Sequence, residues 1–439
     1  MDSINREIIR LSIPTIVSNI TVPLLGICDT AISGHLGSEL FLSAIAVGSV
    51  MLNVVFWIFG FLRGGTTGLT ANALGGKNDK EISRVFYRSL SIGMGAGVIL
   101  ILLQGPIYDF LLMVVGADSE IQPYLQEYFS LRIWGSPALL ATIAISGWFV
   151  GMQNTFFPMV IAIMMNVFNI GLSCWLVYGA DYGFAGVAAG TMLSNWTGLL
   201  VALGCILWFM KGKLPGCDVR NFLKGEWWKY FSVNGNLFLR SFFIICVTLG
   251  VTSAGARIGN LTLAVNAIVM QFFLFFSFFM DGFAFSGEAM VGLRWGEKNF
   301  PMLGKCVRRL LEWTLATGLI FSFIYLCGSG TFTSLLTDRG NVIEQVESLT
   351  LWIVLIPIVS CWAFIFDGFY IGITATRRMM ISAALGAILF FLILSPLYLA
   401  EGWGENRLIW TAFLVYLAAR GIYLGISFPR VVVPHRKMT

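Results

Sequence analysis

Residues 143–176 read IAISGWFVGMQNTFFPMVIAIMMNVFNIGLSCWL and residues 184–210 read FAGVAAGTMLSNWTGLLVALGCILWFM, and neither stretch holds an Asp, Glu, Lys or Arg. Apolar runs of about 20 residues are long enough to cross a hydrocarbon layer as helices. The same pattern recurs along the chain. Of its 439 residues 57% are apolar and only 12% charged, against about 25% charged in soluble proteins. That composition excludes a water-soluble fold. At about 20 to 25 residues per span, the length fits about twelve helices and leaves no room for a large soluble domain, so any function sits inside the bilayer.

Apolar runs between charged or turn-rich breaks predict spans near 11–34, 40–63, 89–113, 130–151, 158–180, 184–210, 233–255, 262–290, 308–328, 346–371, 379–400 and 407–428. The segments on the side of the N-terminus carry most of the 28 Lys and Arg, whereas the opposite loops hold only Arg257, Arg339 and Arg407. Such asymmetry places both termini in the cytoplasm. The longest loop on the basic side divides the chain. It gives an N-terminal six-helix lobe over 1–210, a linker over 211–232 and a C-terminal six-helix lobe over 233–439.

The two halves look related. GWFVGMQNT at 147–155 aligns with GFYIGITAT at 368–376, an offset of 221. Gly68, Leu74 and Gly76 align with Gly287, Leu293 and Gly296 at 219 to 220, and Thr30 with Thr252 at 222. Six helices per half is an even number, so both halves start on the same side. They are expected to be parallel repeats about an axis along the membrane normal, with a substrate cleft between the bundles.

Several chemistries are excluded. The eight cysteines form no CxxC pair and fall mostly within apolar spans, so no disulfide framework is expected. The two histidines, His35 and His435, rule out a His-rich metal site and argue against a Ser-His-Asp triad. An integral-membrane enzyme would need clustered catalytic groups that the chain does not offer, so no enzyme is expected. Gly75-Gly76-Lys77-Asn78 lacks the upstream glycine and the Ser/Thr of a phosphate-binding loop, which leaves an ion gradient as the energy source. The first residues, MDSINREIIRLSIPT, show no cleavage site and should remain as part of the first helix.

ICDTAISGHLG at 27–37, LRGGTTGLTANALGGKND at 62–79, NLFLR at 236–240, DGFAFSGEA at 281–289 and DGFYIG at 367–372 together resemble the multidrug and toxic compound extrusion family, and within it the DinF-like branch. The resemblance covers essentially the whole chain. It implies an all-α, V-shaped transporter of two lobes that expels amphipathic, usually cationic compounds in exchange for protons or sodium. Expected partners are small organic substrates, the coupling ion and membrane lipid, with no cofactor, no metal and no nucleic acid, in a monomer. A flippase for lipid-linked intermediates is the rival reading, and would need a cationic cavity.

Asp29 lies about 18 residues, or about 27 Å, from the cytoplasmic end of helix 1. A lone carboxylate inside the bilayer costs up to about 2.5–3.5 kcal/mol on insertion scales. The resemblance makes Asp29 the proton-binding acid of the N-terminal lobe; the alternative is an aspartate reaching interfacial water. Asn166, Asn169 and Ser173 share one helix face. The resemblance places Asn169 and Thr191 in the polar network around that acid, although such residues also serve as interhelical glue. Ser173 stands where some relatives carry a second aspartate. Pro14 and Pro23 are hinge candidates or fixed kinks. In the C-terminal lobe Arg240, Asp281, Glu288 and Asp367 lie at similar depth, either as a closed ion-pair network or as a substrate or second cation site. Ile244 occupies the position where sodium-coupled NorM-like relatives carry a glutamate, which favours protons. Trp57, Trp134, Trp148, Trp175, Phe149, Phe156, Met51, Met152, Met164 and Met165 are candidates for lining a permissive cleft.

Overall fold

The computed structural model describes residues 3–34, 38–212, 216, 227–399 and 406–437, apart from the side chains of 22–31, 33, 229, 396–399 and 434–437. Among the described residues there are helices and turns and no strand. The helices are α1 (Ser3–Gly34), α2 (Glu39–Ile58), α3 (Phe61–Gly75), α4 (Asp79–Leu102), α5 (Gln104–Val115), α6 (Gln122–Arg132), α7 (Ser136–Gly151), α8 (Phe156–Cys174) and α9 (Gly183–Phe209). They continue as α10 (Trp227–Ile258), α11 (Asn260–Gly296), α12 (Phe300–Leu336), α13 (Gly340–Glu347), α14 (Thr350–Gly372), α15 (Thr376–Leu399) and α16 (Asn406–Lys437).

Among the described residues eleven helical segments are long and apolar enough to cross a membrane. The segment α1, with side chains 22–31 outside the described set, is the first of the twelve read from the sequence. Several spans exceed the predicted bounds. The second runs over Glu39–Gly75 rather than 40–63, the fourth over Gln122–Gly151 and the ninth over Phe300–Leu336. Of these, the ninth opens on a side-chain cap, Asn299 accepting from Met302 N. The second span is broken where Phe59 and Gly60 donate to the carbonyls of Phe56 and Trp57 three residues back, both at 3.0 Å, which tightens the turn between α2 and α3.

The chain separates into two compact units, one of Ile13–Trp227 and one of Met1–Ser12 with Trp228–Thr439. Within the first, Leu52, Leu125, Tyr128, Ile133 and Leu140 form one core cluster, and Ala138, Ile145, Trp148, Phe149 and Ile206 a second. Within the other, the first turns of α1 lie against α11 and α12. Asn5 Oδ1 accepts from Trp313 Nε1 (3.2 Å), Glu7 meets Arg294 (3.5 Å), and the Ser12 and Ser286 hydroxyls bond at 2.7 Å.

The two units repeat the same turns at one offset. Lys77 and Lys298 both take positive φ (51° and 56°), as do Gln153 and Thr374 (62° and 58°). Asn78 caps α4 by accepting from Glu81 N (3.1 Å), and Asn299 caps α12 by accepting from Met302 N (3.2 Å). The glycines make the match three-dimensional. A methyl group on Gly147 would strike the carbonyl oxygen of Arg63, and one on Gly368 that of Ala284. A methyl group on Gly151 would lie 2.8 Å from Thr67 O, and one on Gly372 2.9 Å from Glu288 O. All these pairs stand at an offset of 221, so the 219 to 220 inferred around Gly68 and Gly287 is corrected: Gly75, not Gly76, matches Gly296. Both units thus share a close crossing, α7 on α3 and α14 on α11, where only a missing side chain lets backbones meet.

Gly147→Ala and Gly368→Ala are therefore expected each to lower the melting temperature in detergent, by overpacking of at least about 1–3 kcal/mol. Gly95→Ala in α4, whose added methyl meets nothing within 4 Å, should not. Equal melting of all three variants would refute the close crossings.

Candidate functional site

In the unit of Ile13–Trp227, α8 carries a polar stripe. Asn166 Nδ2 donates to the carbonyl of Thr21 on α1 (3.3 Å). One turn on, Asn169 Nδ2 donates to Thr191 Oγ1 on α9 (2.9 Å), and the Thr191 hydroxyl donates to Val187 O (3.1 Å). Ser173 packs on Gly190 of α9, where a methyl group would collide with it. Tyr178, in the π turn after α8, donates to Ile32 O on α1 (3.3 Å). Asn169, Ser173 and Thr191 are buried. Asn166, Asn169 and Ser173 follow one another along α8, and Asn169 and Thr191 are hydrogen-bonded to each other.

Two atoms of this stripe stand out. Among the described residues, Asn169 Oδ1 and Ser173 Oγ are buried with no hydrogen-bond partner. A polar atom held out of water without a partner carries a desolvation cost of about 1–3 kcal/mol. The side chains of Asp29 and Pro23 lie outside the described residues. Pro14 sits two residues past the point at which the continuous helix α1 passes from one unit to the other.

The other unit holds a charged site. Both guanidinium groups of Arg240 (α10) and Arg420 (α16) bond one oxygen of Asp367 (α14). Arg240 Nε donates to Asp367 Oδ2 at 3.1 Å with Nη2 paired to the same atom, and Arg420 Nη2 donates to it at 2.5 Å. Arg420 Nη1 also donates to Tyr416 Oη, one turn earlier on α16 (3.0 Å). Asp367 and Arg420 are 4% and 6% exposed, so one buried carboxylate balances two guanidinium groups and the site carries a net positive charge. Asp367 Oδ1 has no hydrogen-bond partner among the described residues.

Of the expected cluster of Arg240, Asp281, Glu288 and Asp367, this site joins the first and the last. Arg240 pairs with Asp367, and the second cation on that carboxylate is Arg420, which sequence reading left without a role. A signal existed: Arg420 lies ten residues from Arg430, and Asp367 ten from Arg377, so the two stand at one depth. Glu288 is buried at the position that Thr67 holds in the other unit, and Asp281 is half-buried. The aromatic candidates also divide. Trp148, Phe149 and Met51 are fully buried core residues and line no cleft, whereas Trp57, Trp134, Trp175 and Phe156 are exposed.

The triad fixes an order of stability. Removing Asp367 strands two cations, one of them deeply buried, at a cost of about 3–5 kcal/mol. Removing Arg240 leaves Asp367 still paired. Asp367→Asn should therefore melt well below Arg240→Ala, and Asp367→Asn with Arg420→Met should recover part of the loss. Detergent melting curves check this, and an Arg240→Ala loss as large as that of Asp367→Asn would refute the shared triad.

Comparison with known proteins agrees with this geometry. The chain is 32% identical over 431 residues to the DNA damage-inducible protein F of Escherichia coli strain K12, covering 98% of this chain and 93% of that one. Its fold matches a MOP superfamily transporter from Pyrococcus furiosus with TM-score 0.87 at 16% identity, over 99% of this chain and 97% of the other. It also matches a MATE transporter from Vibrio cholerae with TM-score 0.85 at 16% identity, over 98% of each chain. The MatE family model matches twice, at residues 14–175 and 237–397, once in each half of the repeat. With a helical membrane fold, a duplicated six-helix pattern and a family match over most of its length, this chain belongs to the MatE family of multidrug transporters.

Proposed function

We propose that the chain exports amphipathic organic cations in exchange for protons, with Asp29 as the proton carrier and Asn166, Asn169, Ser173 and Thr191 as its polar surround. The observation that carries this reading is the pair of unpartnered buried atoms on α8, Asn169 Oδ1 and Ser173 Oγ. The bonds from Asn166 to Thr21 O and from Tyr178 to Ile32 O run α8 alongside α1 in the same direction. Eight residues beyond Thr21 and eight beyond Asn166 bring position 29 level with Cys174, within one turn of Ser173.

The chemistry of the two atoms suits a carboxyl that changes protonation state. An amide oxygen only accepts, so Asn169 Oδ1 can bond a protonated carboxyl and not a carboxylate. A serine hydroxyl can donate to the carboxylate or accept from the acid. Protonation of Asp29 would thereby switch its preferred partner along α8, and a change of partner is what links proton binding to helix movement. Pro14 and Pro23, which remove backbone donors from α1, give that helix places to bend. The positive-inside bias supports a plasma-membrane protein with both termini in the cytoplasm, and the lobe boundaries proposed are 1–210 and 233–439 joined by 211–232.

In vesicles holding the purified chain, Asp29→Asn should abolish dye efflux driven by an imposed pH gradient while insertion and folding persist, because volume is kept and titration lost. Efflux at the wild-type rate would refute the proton assignment. Asn169→Ala should slow efflux and displace its pH optimum, whereas an unchanged pH profile would leave Asn169 as glue. A sodium gradient that drives efflux as well as a pH gradient would point to sodium coupling instead.

A further inference from the structure

At one end of the unit of Trp228–Thr439 a cavity of about 640 Å³ is lined by Trp228 at the start of α10, by Thr376, Arg377 and Arg378 in the first turn of α15, and by Arg430 near the end of α16. Asn236 lies in the same wall and donates to Thr376 Oγ1 (3.3 Å). Among the described residues no acidic side chain lines the cavity. Among the described residues Arg377, Arg378 and Arg430 form no ion pair. Three guanidinium groups around one concavity repel each other, and the positive end of the α15 dipole adds to the potential.

The fold itself does not require this. At the offset of 221, Arg377 and Arg378 correspond to Phe156 and Phe157, and the matching end of α9 presents Trp208 and Phe209. In that unit the aromatics close the corner on one another, with Phe157 against Trp208 and against Phe209 at ring-centroid distances of 5.6 Å in both cases. The same architectural position is thus filled by packed rings in one half and by unpaired arginines around a cavity in the other. A structural role is met by the former. The latter needs an anion.

We propose that this cavity binds the phosphate of an anionic phospholipid headgroup. Guanidinium groups match phosphate oxygens bidentately. The cavity lies where three membrane-spanning segments, Tyr230–Ile258, Thr376–Ser395 and Asn406–Val433, begin or end, which is the depth of lipid phosphates. Trp228 and Phe231, 83% and 55% exposed, flank it as aromatic residues do at a membrane interface. The site takes the phosphodiester at its arginines and leaves the acyl chains to the lipid-facing surface. It is independent of the transported compound and of the coupling ion.

The test uses the full chain in a neutral detergent, titrated with short-chain phosphatidylglycerol, short-chain phosphatidylcholine or inorganic phosphate, with the melting temperature as readout. Phosphatidylglycerol is expected to raise melting of the wild type above phosphatidylcholine, and inorganic phosphate at equal concentration is expected to leave it unchanged. Arg377→Gln with Arg430→Gln should weaken the phosphatidylglycerol response about thirtyfold, from about fivefold per arginine. Lys77→Gln with Lys80→Gln, basic positions in the other unit, should keep it. If the double arginine variant does not fold, Arg378→Gln alone should give the about fivefold loss. The proposal is overturned by a response undiminished in the arginine variants, by equal losses in the lysine pair, or by no response in the wild type. An equal response to inorganic phosphate would make this a free-phosphate site and overturn the lipid assignment.

Discussion

A close approach of backbones repeated in both units, Gly147 on the Arg63 carbonyl and Gly368 on the Ala284 carbonyl, is the contact from which the rest of the fold is built. In a membrane, helices gain nothing from leaving lipid by the hydrophobic effect, so association rests on intimate packing and on hydrogen bonds between helices. A glycine every four residues on α7 and α14 provides the packing. The turns that follow, with Gln153 and Thr374 in the left-handed region, aim the next helix back across the unit. Both halves preserve this crossing and its two exit turns at a single offset, which is what a duplicated scaffold retains when its surface chemistry diverges.

The divergence is concentrated where the scaffold leaves freedom. One unit buries neutral groups, Asn169, Ser173 and Thr191, on the faces of α8 and α9. The other holds a buried ion triad, Asp367 between Arg240 and Arg420, whereas the charge buried in the first is Arg88, 3.8 Å from Glu81. A neutral network containing unpartnered acceptors can change partners at small cost, because each alternative bond differs by about 1 kcal/mol. A buried ion triad cannot, since breaking it strands a charge. The physical division is between a neutral hydrogen-bonded stripe and a buried ion triad, and this asymmetry is built on a duplicated scaffold.

The same contrast reaches the helix ends. Phe156, Phe157, Trp208 and Phe209 close a corner by ring contacts, where Arg377, Arg378 and Arg430 leave a lined cavity. Comparing two copies of one architecture within a single chain separates what the fold needs from what it carries in addition. Residues that differ in kind between matched positions are the informative ones.

Composition and hydropathy alone determined that this is a helical membrane protein, because a bilayer accepts long apolar helices and little else. Spacing determined the repeat, and residue counts along a helix determined depth, which placed Arg240 level with Asp367. Depth is one coordinate only. Which way a side chain faces depends on helix rotation, set by contacts far apart in sequence, so the role of Arg420 and the core positions of Trp148, Phe149 and Met51 emerged only from tertiary structure. The offset of 221 around α3 and α11 was hidden for a related reason: neighbouring glycines at 75, 76 and 296 align equally well as letters, and only hydrogen-bonded turns and backbone contacts choose between them. Sequence fixes periodicity and depth through local geometry, while partner choice is settled by the packing of whole helices against one another.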